Sequence, residues 1–237
     1  MRTQEPIGVV GDLGLPSVFS NPEVIKVETP YGPPSARIEV GELGGRRIAY
    51  LSRHGRDQEY IPAHIPYRAN LWALNKLGAH RVVGLCAASG LSHQPLGSLV
   101  VCDQFVDRTW GRQDTFYEGP ISTHVSAFEP YCSEVRAAAC AAARAVSIPV
   151  QESGTMVVVQ GPRLPSRAER DYFRCHKWDV VTMTGYPEAI LARELEMCYA
   201  SLCFVVAHEG ETPPDAVHRA LEEYSAKALT LLADLVE

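Results

Sequence analysis

The stretch VVGDLGLP (residues 9–16) joins an apolar run to a tight turn that contains two glycines. An apolar run of this kind is typical of a buried strand, and a glycine turn after such a strand often binds phosphate through its backbone N–H groups. Here Asp12 and Leu13 stand between the glycines, so an acid and an isobutyl group occupy the place where an anion would dock. The stretch therefore predicts a strand with a binding turn at its end. Asp12 and Leu13 raise the question of whether that turn still binds an anion.

The overall composition is that of an ordinary globular protein. Of the 237 residues, 46% are hydrophobic and 21% are charged, and the formal net charge is −6. This charge, without any basic stretch, argues against nucleic acid or an anionic membrane as a partner. No apolar run reaches the roughly 18 residues of a transmembrane helix, and residues 1–6 show no signal-peptide core. We therefore expect a cytoplasmic protein that binds neither nucleic acid nor membrane.

The cysteines and histidines do not form a recognisable framework. The seven cysteines are an odd number, scattered along the chain and set mostly in apolar sequence. This usage is typical of reduced thiols and not of a disulfide framework. The eight histidines form no HExxH motif, and no paired CxxC is present. We therefore expect no metal site and no bound cofactor.

Apolar runs of strand length alternate with helical patterns along the whole chain, and no repeat or linker divides it. This alternation predicts one α/β domain over residues 1–237, with a largely buried sheet. Ser166 and Glu169 form a capping-box pair at one helix start. The predicted strands are 7–10, 47–53, 81–87, 97–106, 155–161, 179–185 and 201–207. The predicted helices are 69–78, 166–173, 186–198 and a final helix from Thr212 onward.

Seven motifs together resemble the 5′-methylthioadenosine phosphorylase branch of the purine nucleoside phosphorylase family. They are RHGR (53–56), IPYRANLWAL (65–74), DQFVDRTWGR (103–112), TFYEGP (115–120), EPYC (129–132), GPRLPSRAE (161–169) and MTGYPEAILARELEMCYA (183–200). The motifs occur in the family's order, at about its spacing, and cover nearly the whole chain. The resemblance implies a mixed central β-sheet flanked by helices, assembled as a homotrimer, with a hexamer as the alternative. It also implies cleavage of the N-glycosidic bond of a purine nucleoside, with inorganic phosphate as co-substrate.

The resemblance assigns roles to several residues that match the family. Arg53 and His54 match the phosphate-binding pair, in which a guanidinium supplies a planar double donor. Thr184 matches the threonine that bonds both phosphate and sugar, and Met183 matches the methionine that packs on the ribose. Without the resemblance, the simplest interpretation of Arg53 is an ion pair with an acid at a strand end. The simplest interpretation of MTG (183–185) is a core residue followed by a turn.

Three further residues match positions around the nucleoside's 5′ group. His124 matches a histidine that a neighbouring subunit offers to that group. Val217 and Leu221 match the 5′ pocket on the last helix, although simple packing explains the spacing of Leu221 equally well. The sequence ends soon after this helix, whereas many relatives extend into a tail that closes the site. We therefore expect a more open 5′ pocket.

The phosphate-binding segments also depart from the family. Leu13 replaces a threonine, which removes a charge-assisted hydrogen bond worth roughly 1.5–3 kcal/mol. A carboxylate at Asp12, if it pointed into the site, would repel an anion 4 Å away by about 4 kcal/mol at an effective dielectric of 20. Asp12 pointing to solvent is the alternative. In the second loop (84–95), Leu85 stands where the family places a hydroxyl, and Ser89, Ser92 and His93 offer other polar groups.

The predicted base pocket also differs from the family pattern. Leu164 stands where the family stacks a phenylalanine on the purine, and Ala207 replaces the aspartate that helps protonate the departing base. Such proton donation contributes roughly 10²–10⁴-fold in rate. His208 or Glu209 could take over this role, and Glu209 aligns with the family's second acid.

These observations leave three functional hypotheses. The first is phosphorolysis of a purine nucleoside, most simply a 5′-modified one such as 5′-methylthioadenosine. The second is a diverged enzyme that does not use phosphate: a nucleoside hydrolase with Asp12 as general base, or an enzyme of specialised metabolism acting on a nucleoside-like substrate. The third is a catalytically silent nucleoside-binding protein. Clustered changes at both ends of the site favour the second hypothesis, and the near-complete motif set favours the first.

Overall fold

The structure is a computed structural model that describes residues 5–11, 19–120, 123–208, 210 and 212–235. Three of the predicted site residues, Asp12, Leu13 and Glu209, lie outside the described residues. Within the described ranges, eleven strands and five α-helices follow one another along the chain. The strands are β1 (Ile7–Gly11), β2 (Glu23–Ile25), β3 (Ile38–Leu43), β4 (Arg46–Ser52), β5 (Arg81–Gly90), β6 (Leu99–Val101), β7 (Gln104–Arg108), β8 (Val150–Gln151), β9 (Thr155–Val159), β10 (Val180–Thr182) and β11 (Cys198–Ala207). The helices are α1 (Tyr67–Lys76), α2 (Ser133–Ala145), α3 (Arg167–Cys175), α4 (Glu188–Glu194) and α5 (Pro214–Leu235).

The described strands form one mixed sheet with β5 at its centre. The main path runs β2-β3-β4-β1-β5-β10-β9-β7, while β11 pairs with β5 and β6, and β6 also pairs with β8. Strands β1, β4, β5 and β11 are parallel to one another, whereas β10 runs antiparallel to β5. The predicted mixed sheet is therefore confirmed.

Helices cover both faces of the sheet. Val10 and its neighbours on one face pack against α1 and α4 through residues such as Leu71 and Leu191. Val9 and the opposite face pack against α2 and α5 through residues such as Tyr224. Consecutive strand residues point to opposite faces, so both faces of β1 are buried. This double burial explains the continuous apolar character of the strand sequences.

Most of the predicted elements are present, and the differences have local causes. The capping box at α3 is formed by the Ser166 and Glu169 side chains. Residues 97–106 form two strands, because the chain leaves β11 after β6 and joins β9 as β7. Helix α2 was not predicted, since its alanine-rich sequence lacks the large apolar residues that reveal a helical period.

One pair of cysteines corrects the expectation that all seven are reduced thiols. Cys132 precedes α2 and Cys198 begins β11, and the two form a disulfide across 66 residues of sequence, with their Cα atoms 5.2 Å apart. The remaining five cysteines are free thiols. The pairing joins two elements that only the tertiary fold brings together, so the cysteine spacing did not indicate it.

Candidate active site

The carboxyl ends of two strands meet on the same edge of β5. Strand β1 pairs with β5 up to Val10 opposite Gly84, and β10 pairs with it at Ser89 and Gly90. Because β1 is parallel and β10 antiparallel to β5, their carboxyl ends point toward each other across β5 residues 85–88. A gap of this kind, a crevice at strand carboxyl ends, is where α/β proteins commonly bind ligands.

Arg53 fills the part of the gap next to β1. It follows β4, and its backbone N–H donates to the Gly11 carbonyl oxygen at 2.9 Å. Its guanidinium Nη1 donates to the Leu85 carbonyl oxygen at 2.7 Å, and Nη2 lies 3.4 Å from that of Val10. The arginine therefore joins the carboxyl ends of β1 and β4 to the middle of β5 and places a positive charge at the carboxyl end of β1.

A fully buried carboxylate holds this guanidinium. Glu188, at the start of α4, accepts from Arg53 Nε at 2.6 Å and from Nη2 at 3.0 Å, and both side chains are 0% exposed. Glu188 also accepts from the Tyr199 hydroxyl at 2.7 Å. Burial, reinforced by the Glu188 charge, raises the pKa of Tyr199 well above its ordinary value, so this hydroxyl remains a donor. The three side chains form one buried network.

The residues after β10 cover the other part of the gap. Thr184 is almost fully buried, and its hydroxyl donates to the Cys86 sulfur at 3.5 Å. Its backbone N–H donates to the Thr182 hydroxyl, which in turn lies 3.5 Å from the Ala87 carbonyl oxygen. Thr184 and Arg53 therefore contact the same segment of β5.

His54, the next residue after Arg53, is also buried. Its Nδ1 lies 2.7 Å from the Tyr60 carbonyl oxygen. A carbonyl oxygen only accepts, so Nδ1 carries the hydrogen and the ring orientation is fixed by the backbone. Arg53 and His54 thus enter the site region as a rigid pair at the end of β4.

The predicted base side of the site lies at the end of β11. Ala207 is buried, and the pairing with β5 shifts register between Val205 and Ala207. The ring of His208 contacts two backbone carbonyl oxygens, that of Gly90 at 3.2 Å from Nδ1 and that of Gln94 at 2.9 Å from Nε2. His208 therefore joins the end of β11 to the loop after β5, and its ring is engaged in holding that loop.

Leu164 occupies an exposed loop. Its side chain is 58% exposed. The loop is held by Arg163, which forms two hydrogen bonds of 2.7 Å with the Glu169 carboxylate. These bonds, followed by those from Ser166, lower the pKa of Glu169 to about 2. The position assigned to the purine-stacking residue thus stands open to solvent beside a fixed loop.

The three predicted 5′-pocket residues are spread over two surfaces. His124 is exposed, in a segment that also carries Phe128 with 81% exposure. Val217 is half-buried on α5. Leu221 packs against the apolar cluster beneath α5, which confirms the packing interpretation of its spacing.

Sequence reasoning missed three polar residues of this region: Glu188, Tyr199 and Arg112. All three lie in motifs that carried the family resemblance, yet charged residues such as Glu188 and Arg112 are normally solvated. Arg112 donates to the carbonyl oxygens of Met183 and Gln160, at 2.9 and 3.1 Å. These contacts join residues that are far apart in sequence, so the tertiary structure reveals them and a local sequence pattern does not.

Comparison with known proteins identifies the family. The chain belongs to the phosphorylase superfamily, whose sequence pattern it matches over residues 6–237. It is 48% identical to a purine nucleoside phosphorylase of Streptomyces coelicolor, covering 86% of this chain and 76% of that protein. It is 44% identical to an S-methyl-5′-thioadenosine phosphorylase of Pyrococcus horikoshii, covering 95% of this chain and 90% of the relative.

Solved structures agree with this assignment. The fold superposes with a TM-score of 0.92 on a methylthioadenosine phosphorylase from Schistosoma mansoni in complex with tubercidin. The two chains are 31% identical, and the match covers 98% of this chain and 91% of the other.

Among the helices that the structure describes, none combines the length and apolarity required to cross a bilayer.

Proposed function

We propose that this chain cleaves the N-glycosidic bond of a purine nucleoside, with phosphate as the nucleophile and 5′-methylthioadenosine as the representative substrate. The observation that carries the proposal is the convergence of Arg53 and Thr184 on β5 residues 85–88. Relatives that are 44–50% identical and named S-methyl-5′-thioadenosine phosphorylase support it.

The crevice suits an anionic nucleophile for an electrostatic reason. A buried guanidinium that is held in place before substrate arrives needs no reorganisation when an anion binds. Arg53 is held by the Glu188 carboxylate and by backbone carbonyl oxygens. In the proposal, Arg53, His54 and Thr184 hold phosphate beneath C1′, and Met183 packs against the ribose. Phosphate attacks C1′ as the bond to the base breaks, and the products are the free purine and a pentose 1-phosphate.

The departing base needs a proton in this reaction. Ala207 carries no acid, and the His208 ring is engaged by two carbonyl oxygens. We assign the proton to Glu209, which follows His208 in the chain. Leu164 borders the base in this arrangement, and its exposure predicts a wetter, less selective purine site.

We also propose a cytoplasmic homo-oligomer, a trimer by family resemblance. Large apolar side chains on segments 109–120 and 123–130 support this part of the proposal: Trp110 is 66% exposed and Phe128 is 81% exposed. Association through this surface would cover these side chains and bring His124 to the 5′ group of a neighbouring site, beside Val217. Light scattering coupled to size exclusion tests it, and a monomer at all concentrations would contradict it.

The activity is tested by incubating the protein with 5′-methylthioadenosine, adenosine and inosine, with and without phosphate. Base release that requires phosphate supports the proposal. Base release at the same rate without phosphate supports a hydrolase, with Asp12 as its candidate general base. Nucleoside binding without turnover of any of the three supports a silent homologue.

A further inference from the structure

Arg112 lies where the ends of two strands and a loop come together. Its Nη2 donates to the carbonyl oxygens of Met183 at 2.9 Å and Gln160 at 3.1 Å, and lies 3.4 Å from that of Val159. Its Nη1 donates to the Tyr186 carbonyl oxygen at 2.5 Å and to the Tyr67 hydroxyl at 3.2 Å. One guanidinium therefore joins the ends of β9 and β10 to the segment before α4.

These contacts hold the backbone of Met183 and the backbone next to its side chain. The Met183 and Gln160 carbonyl oxygens share the same nitrogen of Arg112. Gly161, the residue after Gln160, lies so close to Met183 that an added Cβ would stand 2.6 Å from the sulfur. Arg112 therefore sets both the residue that would meet the sugar and the backbone against which its side chain packs.

Lysine cannot reproduce this arrangement. Five oxygen acceptors surround a planar fork whose donors point in fixed directions, and an ammonium group offers only three donors at one point. Burial lowers the pKa of Arg112. Because the ordinary value for arginine is so high, the group stays charged near neutral pH.

We propose that Arg112 is a positioning residue for the nucleoside, which holds Met183 in the geometry that packs against the sugar. Thr184, which holds phosphate in the proposal, has its own contacts with Thr182 and Cys86. The inference rests on the proposed function, since it concerns the same crevice.

Arg112 acts through Met183 on the sugar side, whereas Glu188 acts through Arg53 on the phosphate side. A change at Arg112 should therefore weaken nucleoside binding, whereas a change at Glu188 should weaken phosphate binding.

The test compares Arg112→Lys with Arg108→Lys, a change at an exposed arginine four residues earlier. The KM for nucleoside, the KM for phosphate and kcat are measured for each variant and for the wild type. The nucleoside Kd is measured by calorimetry in phosphate-free buffer. A misplacement of about 1 Å far from the reacting atoms can cost roughly 10²-fold in rate. We therefore expect kcat/KM for the nucleoside to fall roughly 10–100-fold in Arg112→Lys, with a higher nucleoside KM and Kd. The phosphate KM and the Arg108→Lys variant are expected to match the wild type.

An unchanged nucleoside Kd in a folded Arg112→Lys protein would overturn the inference, as would a parallel rise of both KM values. If Arg112→Lys does not fold, Tyr67→Phe removes only one of the five acceptors and is expected to raise the nucleoside Kd to a smaller extent, and an unchanged Kd there counts against the inference. Failure of the proposed function looks different: the wild type would then bind nucleoside without phosphate-dependent turnover, and the binding comparison would still decide the role of Arg112.

Discussion

Arg53 and Glu188 are 135 residues apart in sequence and form a two-bond ion pair at 2.6 and 3.0 Å, with neither side chain exposed. A buried pair of this kind contributes little net stability, yet removing one partner leaves an uncompensated charge. The pair also spans the site: Arg53 follows β4, and Glu188 follows β10 in the chain. Its integrity should therefore affect both folding and the binding of an anion.

Glu188→Gln keeps the shape of the side chain and removes its charge. We expect this variant to lose about 3–5 kcal/mol of unfolding free energy and to raise the phosphate KM more than the nucleoside KM. Urea denaturation and steady-state kinetics measure the two effects. Glu223→Gln is the matched control, because Glu223 pairs with Lys227 on the exposed side of α5 and its loss should cost less than about 1 kcal/mol. Equal losses in the two variants would contradict this account.

Residue 84 must be glycine because of Tyr199. A Cβ at this position would lie 2.0 Å from the Tyr199 hydroxyl oxygen, which Glu188 holds at 2.7 Å. Gly84→Ala should therefore displace the hydroxyl and destabilise the fold by about 1–3 kcal/mol, as read from thermal and urea unfolding. Gly119→Ala, where an added Cβ meets nothing within 4 Å, should cost no stability. If Gly84→Ala were as stable as that control, the packing around Tyr199 would be described wrongly.

The Glu169 carboxylate gives the loop beside the site an acid-sensitive contact. Its pKa is lowered from 4.5 to about 2, chiefly by Arg163. A lowered pKa in the folded state stabilises the protein above the unfolded value, and this stabilisation is lost as pH falls from about 4.5 toward 2. We therefore expect Glu169→Gln to lower the melting temperature near neutral pH, with a difference from wild type that shrinks through this acid range. A difference that stays constant with pH would argue against the ion pair.

The cysteines should differ sharply in reactivity. Cys175 is exposed, whereas Cys86, Cys102 and Cys203 are fully buried. The Cys102 hydrogen bond, followed by burial, raises the pKa of Cys203 well above its ordinary value, so its reactive thiolate is scarce. Under native, non-reducing conditions, an alkylating reagent should label Cys175 first, as read by mass spectrometry. Labelling of Cys203 at the rate of Cys175 would contradict the described burial.

The same experiment tests the Cys132–Cys198 disulfide. These two residues should be labelled only after reduction, and peptide mapping should recover them as one linked pair. Alkylation of both without a reductant would restore the original expectation of seven reduced thiols.

The strands could be predicted because their burial on both faces leaves a direct trace in the sequence. Residues 81–87 and 201–207, for example, are continuous apolar runs and form β5 and β11. Helix α2 left no such trace, because alanine packs well without marking one face. Strand β3 alternates buried and partly exposed residues over its first four positions only, and the sequence did not single it out.

The candidate site could be predicted only in part, for a different reason. The motifs pointed to Arg53 and Thr184, which follow strand ends and both contact β5, while their binding roles stay predictions. The same motifs contained Glu188 and Arg112, but local sequence does not show whether a charge is solvated or buried against a distant partner. The turn at Asp12 and the acid at Glu209 lie outside the described residues, so their roles stay predictions.

Phosphorus NMR of the reaction with 5′-methylthioadenosine tests the central claim, that the crevice under Arg53 delivers phosphate to the sugar, most directly. We predict a new resonance from a pentose 1-phosphate that grows in step with free adenine, and no adenine release when phosphate is omitted. Adenine release that continues without phosphate, with free sugar as the product and no new phosphorus resonance, would contradict the account.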